Sequence, residues 1–415
     1  MTIDWERKFA PRAIKLTASE IRELLKLLDQ PDIISFAGGI PDPEMFPVER
    51  MRAAFAAIFA DPARRAEALQ YSVSEGYGPL RDVIVRQMAK RGIVAHRDNV
   101  IVTNGSQQGL EFLAKLFVAP GDRVIVTRPS YLGALQAFSL YEPTYVPVPI
   151  DQTGIDLAAT AREFAAGAKF LYITPDFGNP AGVTVPEDQR RALLDLSYRH
   201  GVPVIEDQAY DLLRYDGAPV PSLLALDCAR RNAAAPLAEP SAVGNVIYTG
   251  TFSKSVAPAL RVGWIVAPAP VIRKLVLMKQ ASDLHAPTIN QMVLADIVDD
   301  VIEEAAPKLR ATYGARRDAM LAALERHMPP GVSWTRPDGG MFVWVTLPAG
   351  LDGNKLLERS IREARVAFVP GSAFFTDKTG RNTFRLSFSL MPPAKIEEGI
   401  KRLGGVVKEA MAVAA

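Results

Sequence analysis

The sequence predicts an α/β fold: a mostly parallel central sheet with helices on both faces, joined to a smaller α+β domain. Three observations lead there. First, short apolar runs recur with helix-like segments between them: NVIVTNG (99–105), DRVIVTRPSY (122–131), KFLYITP (169–175), VPVIED (202–207), NVIYTG (245–250) and VGWIVAP (262–268). Runs of this kind are strands buried on both faces. Second, the runs stop at polar or glycine-rich residues, as strand ends do where an open sheet meets its ligand. Third, after about residue 270 the pattern changes to long helical segments and hairpin-like runs. We expect residues 1–50 to form an N-terminal helix and loop belonging to the small domain. Residues 51–300 should form the large α/β domain and residues 301–415 the small one.

Thr17-Ala-Ser-Glu20 has capping-box spacing ahead of IRELLKLL, which predicts a short amphipathic helix. PDIISFAGGIPDPEMFP is a loop by its Gly and Pro content. SQQGLEFLAKLFV is a helix starting directly after Asn104-Gly105. PEDQRRALLDLSYRH (186–200) begins with Pro and acids and ends with basic residues and Gly201, as capping and the helix dipole prefer. ARRNAAAPLAEPSAVG (229–244) reads as a surface loop or loose connection. Helices follow in VIRKLVLMKQASDLHAP and in the long run from NQMVLAD to LAALERH. GVSWTRPDGGMFVWVTL and RVAFVPGSAFF look like hairpin strands, TFRLSFS like a further strand, and KIEEGIKRLGGVVKEAMA like a closing helix.

Bulk properties exclude several classes. With 415 residues, two or three domains are expected, and 48% hydrophobic against 23% charged residues supplies an ordinary core. The 48 basic and 46 acidic residues leave a net charge of +2, so neither nucleic acid nor an anionic membrane is an expected partner. Cys228 is the single cysteine, so no intrachain disulfide can form, and we read it as an inert small residue. MTIDWERKFAPRAIK lacks the apolar core of a signal peptide, and the apolar runs are too short to span a bilayer. A cytoplasmic protein is expected, with no metal.

The chemistry concentrates at the strand ends. TGTFSKSVAPALRVGW (249–264) places Lys254 between two serines, with Arg261 seven residues on. Two half-buried cations so close need an anion, or an uncharged lysine. Asp207 ends an apolar strand and needs a cation. Gly105-Ser106-Gln107 at a helix start suits a phosphate, though such turns are common. Tyr131 could stack on a flat ring or pack in the core. Asn179 could bind a ligand or sit in a plain turn. One ligand accommodates the whole set: pyridoxal 5′-phosphate. Its phosphate meets Ser106, Gln107, Thr251, Ser253 and Arg261; its ring meets Tyr131; its phenolic oxygen meets Asn179 and Tyr210; its ring nitrogen meets Asp207; its aldehyde meets Lys254.

These residues, in the order Tyr71, Gly105-Ser106-Gln107, Tyr131, Asn179-Pro180-Ala181-Gly182, Asp207-x-x-Tyr210, Ser253-Lys254, Arg261 and Arg385, resemble the fold-type I aminotransferases of class I and II over nearly the whole chain. SFAGGIPDPEMFP, QYSVSEGYGPLR, RPSYLGALQAF and TRPDGGMFVW are similar to the branch containing 2-aminoadipate, kynurenine and aromatic amino acid aminotransferases.

The resemblance implies that Lys254 forms the Schiff base, Asp207 keeps the pyridine nitrogen protonated, and Tyr210 and Asn179 serve the phenolic oxygen. It implies that Tyr71 reaches the phosphate of a second subunit, making the active unit a homodimer with shared sites. Arg385 resembles the arginine that holds the substrate α-carboxylate. Gly39 and Ile40 are expected to line the substrate pocket. Arg22 could meet a distal carboxylate, or merely face solvent. Gly178, Ala181 and Gln208 depart from the family pattern. The implied reaction is ping-pong transamination. It carries the amino group of an L-amino acid (2-aminoadipate, glutamate, aromatic or branched) to a 2-oxo acid, 2-oxoglutarate being the expected acceptor. Alternatives on the same cofactor are β-lyase, decarboxylase or racemase chemistry. A ligand-sensing regulatory domain is a remote alternative, because the stretch before SFAGG is too short for a DNA-binding domain.

Overall fold

The computed structural model describes residues 2–14, 32–234 and 244–414. The capping-box segment around Thr17, and Arg22 with it, lies outside the described residues. Among the described residues the strands are β1 (Ile34–Ser35), β2 (Val100–Asn104), β3 (Arg123–Arg128), β4 (Thr144–Asp151), β5 (Gly154–Ile155), β6 (Leu171–Ile173), β7 (Val204–Gln208), β8 (Val246–Thr251), β9 (Val262–Val266), β10 (Ser333–Trp334), β11 (Phe342–Thr346), β12 (Val366–Ala367), β13 (Val369–Pro370) and β14 (Thr383–Ser387). The large sheet runs β2-β9-β8-β7-β6-β3-β4-β5. The five strands from β8 to β4 are parallel to one another. Successive side chains serve opposite faces. Val100 and Val102 enter the core under helices such as Gly78–Ala89 and Glu187–His200, while Ile101 enters the core under helices Gly105–Phe117 and Ala269–Gln280.

β9 differs from its neighbours: it runs antiparallel to both β2 and β8. Only residues 252–261 connect it to β8, too few for the helical crossover that parallel pairing requires. That short return carries Lys254 and Arg261. β4 is a strand that residue pattern alone passes over, because Pro147 and Pro149 argue against one. It is tolerated near the sheet edge, where only the two-residue β5 lies beyond it. Residues 229–234, expected in a loop, are the last turns of helix Leu223–Ala234.

A 40-residue helix, Thr288–His327, joins the two halves, and the boundary expected between residues 300 and 301 falls inside it. Its first half, including Met292, Leu294 and Val298, packs on the large sheet. Its second half, including Leu309, Tyr313 and Met320, packs in a separate core with the antiparallel sheet β10-β11-β14-β13 and helix Pro393–Ala414. RVAFVPGSAFF is not a hairpin. Its first part, β12, pairs in parallel with β1 from the start of the chain, and its second part, β13, pairs with β14. Residues 33–37 therefore belong to this second core, and Phe36 is fully buried there against Gly399, where a Cβ would stand 2.6 Å from the ring.

Phe36 also leads into the segment Ala37–Ile40 that lines the site cavity. Phe36→Ala is expected to lower the unfolding free energy by about 3–5 kcal/mol, read as a shift of the urea midpoint at unchanged slope.

Candidate active site

The carboxyl ends of the parallel strands open into one cavity of about 470 Å³. Among the described residues, all the candidates except Tyr71 line it: Gly39, Ile40, Ser106, Gln107, Tyr131, Asn179, Asp207, Tyr210, Thr251, Ser253, Lys254, Arg261 and Arg385. Tyr71 is 80% exposed and stands edge-on to His285, its ring centre 6.0 Å away.

At one end of the cavity the helix Gly105–Phe117 begins directly at the end of β2, so its first N–H groups lack helical partners. Gly105 has φ +72°, and a Cβ there would come within 2.5 Å of the Arg261 guanidinium. A Cβ on Gly263 would meet the Ser106 backbone nitrogen at 2.5 Å. These two glycines let Ser106, Arg261 and β9 come together. Arg261 itself adopts φ +54°, a strained backbone for a side chain of its size. Thr251 Oγ1 donates to Ser253 Oγ at 2.9 Å, and the Ser253 N–H donates back to Thr251 Oγ1 at 3.2 Å. Gln107 Nε2 donates to the Gly133 carbonyl at 2.7 Å, which ties this end to the segment after Tyr131.

Asp207 is buried at the end of β7. Tyr172 Oη donates to its Oδ2 and Thr249 Oγ1 to its Oδ1, both at 2.8 Å. Burial raises its pKa, and these two hydrogen bonds oppose the rise. Neither Tyr172 nor Thr249 emerges from the residue pattern. The signal for Thr249 is register, because it sits directly opposite Asp207 on β8. Burial, with the nearby Asp207 charge, pushes the Tyr131 phenol up to about 12. Burial likewise pushes the Tyr210 phenol up, with Tyr131 adding to it and Arg385 opposing.

Lys254 Nζ donates to the Gly39 carbonyl at 2.8 Å. Burial, then repulsion from Arg385 and Arg261, holds the amine down at about 8. Arg385 is buried on β14 and has no carboxylate partner among the described residues. Its Nη1 donates to Asn179 Oδ1 at 2.8 Å and its Nη2 to the Ala37 carbonyl at 2.5 Å. Its Nε has no acceptor among the described residues. The guanidinium lies over the rings of Phe342 at 4.4 Å and Phe374 at 5.3 Å. Burial lowers its pKa to about 10, which leaves it charged at neutral pH.

The match to known proteins follows this geometry. Residues 31–403 match the family described as Aminotransferase class I and II. The chain belongs to that family. It is an aminotransferase, and pyridoxal 5′-phosphate is its cofactor. It is similar to the aromatic-amino-acid aminotransferase 1 of Thermococcus litoralis, 42% identical over 99% of this chain and 96% of the relative. It is similar to the 2-aminoadipate transaminase of Thermus thermophilus, 41% identical over 99% of both chains. The crystal structure of Pyrococcus horikoshii kynurenine aminotransferase, in complex with PMP, superposes with a TM-score of 0.90 at 44% identity, covering 98% of each chain. Among the described residues no helix is long and apolar enough to cross a membrane, and no group of His, Cys, Asp or Glu could hold a metal ion.

The departures from the family pattern find their places. Gly178 and Ala181 are not among the cavity residues. A Cβ at Gly178 would meet the Thr174 carbonyl at 2.9 Å. The Gln208 amide points away from Asp207, as alternation along β7 requires. Its Nε2 donates to Asp176 Oδ2 at 2.8 Å and to Glu206 Oε1 at 3.1 Å. Glu206 also accepts the N–H groups of Leu223 (2.8 Å) and Leu224 (2.9 Å) at a helix start. Burial still raises its pKa to about 7. An acid at position 208 would place a third carboxylate beside these two, whereas the amide supplies the donor they need.

In the cofactor-free aminotransferase, Lys254 should release its proton near pH 8. Between about pH 8 and its ordinary value of 10.5, the unfolded chain holds a proton that the folded chain has lost. Stability attributable to Lys254 should therefore rise with pH across that window. Thermal unfolding of wild type minus Lys254→Met, measured as pH increases, reads this directly. A difference that is flat or falling would contradict it.

Proposed function

We propose that this aminotransferase binds pyridoxal 5′-phosphate in the 470 Å³ cavity and transfers the amino group of an aromatic or branched L-amino acid to 2-oxoglutarate. The observation that carries the reading is one cavity lined by a depressed lysine, a buried carboxylate and two arginines. The residues fit the cofactor. Helix-start N–H groups, the hydroxyls of Thr251 and Ser253, and Arg261 form an anion cradle at one end, and the glycines 105 and 263 let its parts pack closely together. Asp207 offers a fixed negative charge for the ring nitrogen.

When bound, the cofactor supplies an aldehyde for the amino group and an electron-accepting ring joined to Cα. Ser106, Gln107, Thr251, Ser253 and Arg261 hold the phosphate. Asp207, oriented by Tyr172 and Thr249, keeps a proton on the pyridine nitrogen. Tyr131 covers the ring, and Asn179 and Tyr210 donate to the phenolic oxygen. Lys254 Nζ takes the Cα proton of the donor and, in the second half-reaction, gives a proton to Cα of the acceptor. Burial disfavours the charged form of this amine, which favours its acting as the base. Arg385 takes the α-carboxylate of donor and acceptor in turn. That contact replaces its neutral oxygen partners with a charged one.

The donor class rests on the remaining lining. Beyond the groups already assigned, the cavity presents Ala37, Gly38, Ile40, Leu132, Gln136 and Phe374, with no further cation among the described residues. A neutral side chain suits that surface. Arg22 is the proposed partner for the distal carboxylate of 2-oxoglutarate, or of an acidic donor. Tyr71, exposed on this chain, is the proposed contact to the phosphate of a second subunit, so the working unit is a homodimer.

Absorbance of the purified protein before and after addition of phenylalanine, 2-aminoadipate and glutamate ranks the donors. Conversion of the cofactor band to the pyridoxamine form is expected with phenylalanine and with glutamate, the latter being the reverse of the 2-oxoglutarate half-reaction. Faster conversion with 2-aminoadipate than with phenylalanine would overturn the donor class, and no conversion with glutamate would overturn the acceptor. Lys254→Ala should retain cofactor without turnover, and normal turnover in that variant would end the assignment. Arg385→Lys should lower kcat/KM for every donor by about 10- to 100-fold, since one bidentate charged contact is lost. Arg22→Ala should slow acidic substrates more than phenylalanine, and an equal loss would remove its proposed role.

A further inference from the structure

The turn that opens the proposed phosphate cradle leans on an ion pair with a buried lysine, to which the reaction assigns no task. Lys279, at the end of helix Ala269–Gln280, is fully buried. Its Nζ donates to Gln108 Oε1 at 2.9 Å and to both oxygens of Asp283 at 3.0 Å. Asp283 Oδ2 also accepts from Asn104 Nδ2 at 2.5 Å and from Gln108 Nε2 at 2.7 Å. Gln108 Oε1 accepts the Asn104 N–H at 2.9 Å. The Asn104 carbonyl in turn accepts from Arg261 Nη2 at 3.4 Å. The backbone N–H, carbonyl and side chain of Asn104 are thus all engaged by Gln108, Asp283 and Arg261.

Burying an ammonium is costly, and an apolar pair of similar volume often serves stability as well. This pair therefore needs a further reason, and its contacts supply one. Asn104 is the last residue before the Gly105 turn, and Gly105 packs so tightly on Arg261 that the turn and the guanidinium must move together. Gln108 sits one helical turn beyond Asn104, across Ser106 and Gln107.

We propose that Lys279 and Asp283 are positioning residues for the cofactor phosphate: through Asn104 and Gln108 they hold the Ser106 and Gln107 N–H groups and Arg261 in register. This rests on the assignment of those three residues to the phosphate. Neither Lys279 nor Asp283 lines the cavity, so neither is catalytic.

The test compares two ligands that differ only in the phosphate. Dissociation constants for pyridoxal 5′-phosphate and for pyridoxal are measured by absorbance on cofactor-stripped wild type, Lys279→Met and Asp283→Asn. The constant for pyridoxal 5′-phosphate should rise about tenfold or more in both variants, while that for pyridoxal is unchanged. Equal weakening of both ligands would mark the pair as structural and overturn the proposal, as would an unchanged constant for pyridoxal 5′-phosphate. If Lys279→Met does not fold, Asp283→Asn decides alone, since its side chain is partly exposed and its shape is kept. A wild type that binds the two ligands equally would instead remove the phosphate assignment itself, and this proposal with it.

Discussion

The site is organised by an excess of positive charge in a half-closed cavity. Among the described residues, Lys254, Arg261 and Arg385 face it, against the single carboxylate of Asp207. Inside a protein such an excess is relieved in few ways. Lys254 relieves it by a weakened hold on its proton. Arg385 cannot, and settles for two neutral oxygens and two aromatic faces. What remains calls for anions. In the proposed assignment, a phosphate at one end and a carboxylate at the other would answer that demand.

The scaffold makes this affordable by bringing the charges in on separate elements. Asp207 arrives on a buried parallel strand, Lys254 and Arg261 on the short return into β9, and Arg385 on a strand of the second sheet. Each is stabilised locally before it meets the others. Asp207 has two hydroxyl donors, and Arg261 is braced against a glycine turn. The cost of crowding the charges falls on local backbone, at the φ +54° of Arg261, rather than on the sheet.

Much of this was legible in the residues. Apolar runs of five or six residues mark the strands, and in a parallel array their ends lie along one edge, so polar residues at those ends converge even from distant parts of the chain. That logic reaches Ser106, Asn179, Asp207 and Lys254 alike. It fails where the physics is not periodic. The prolines of β4 hide a strand that the sheet edge tolerates. The direction of β9 depends on counting the connection before it rather than on its composition. Thr249 and Tyr172 gain their roles only through strand pairing. Nothing in the residue pattern singles out Lys279 and Asp283, because their role comes from packing that seals Lys279 from solvent.

The pairing of β1 with β12 has a consequence for how the protein is made. Ile34 is bonded in register to Val366, and the Ala37 carbonyl waits for Arg385, 348 residues later. The large sheet, by contrast, is complete once residue 266 has been synthesised. A chain emerging from the ribosome can therefore assemble the floor of its pocket early, while the wall that begins at Ala37 waits for residues 366–385 to complete its anchoring. Contacts of such span form slowly. The contact between that wall and Arg385 thus forms later than the sheet beneath it.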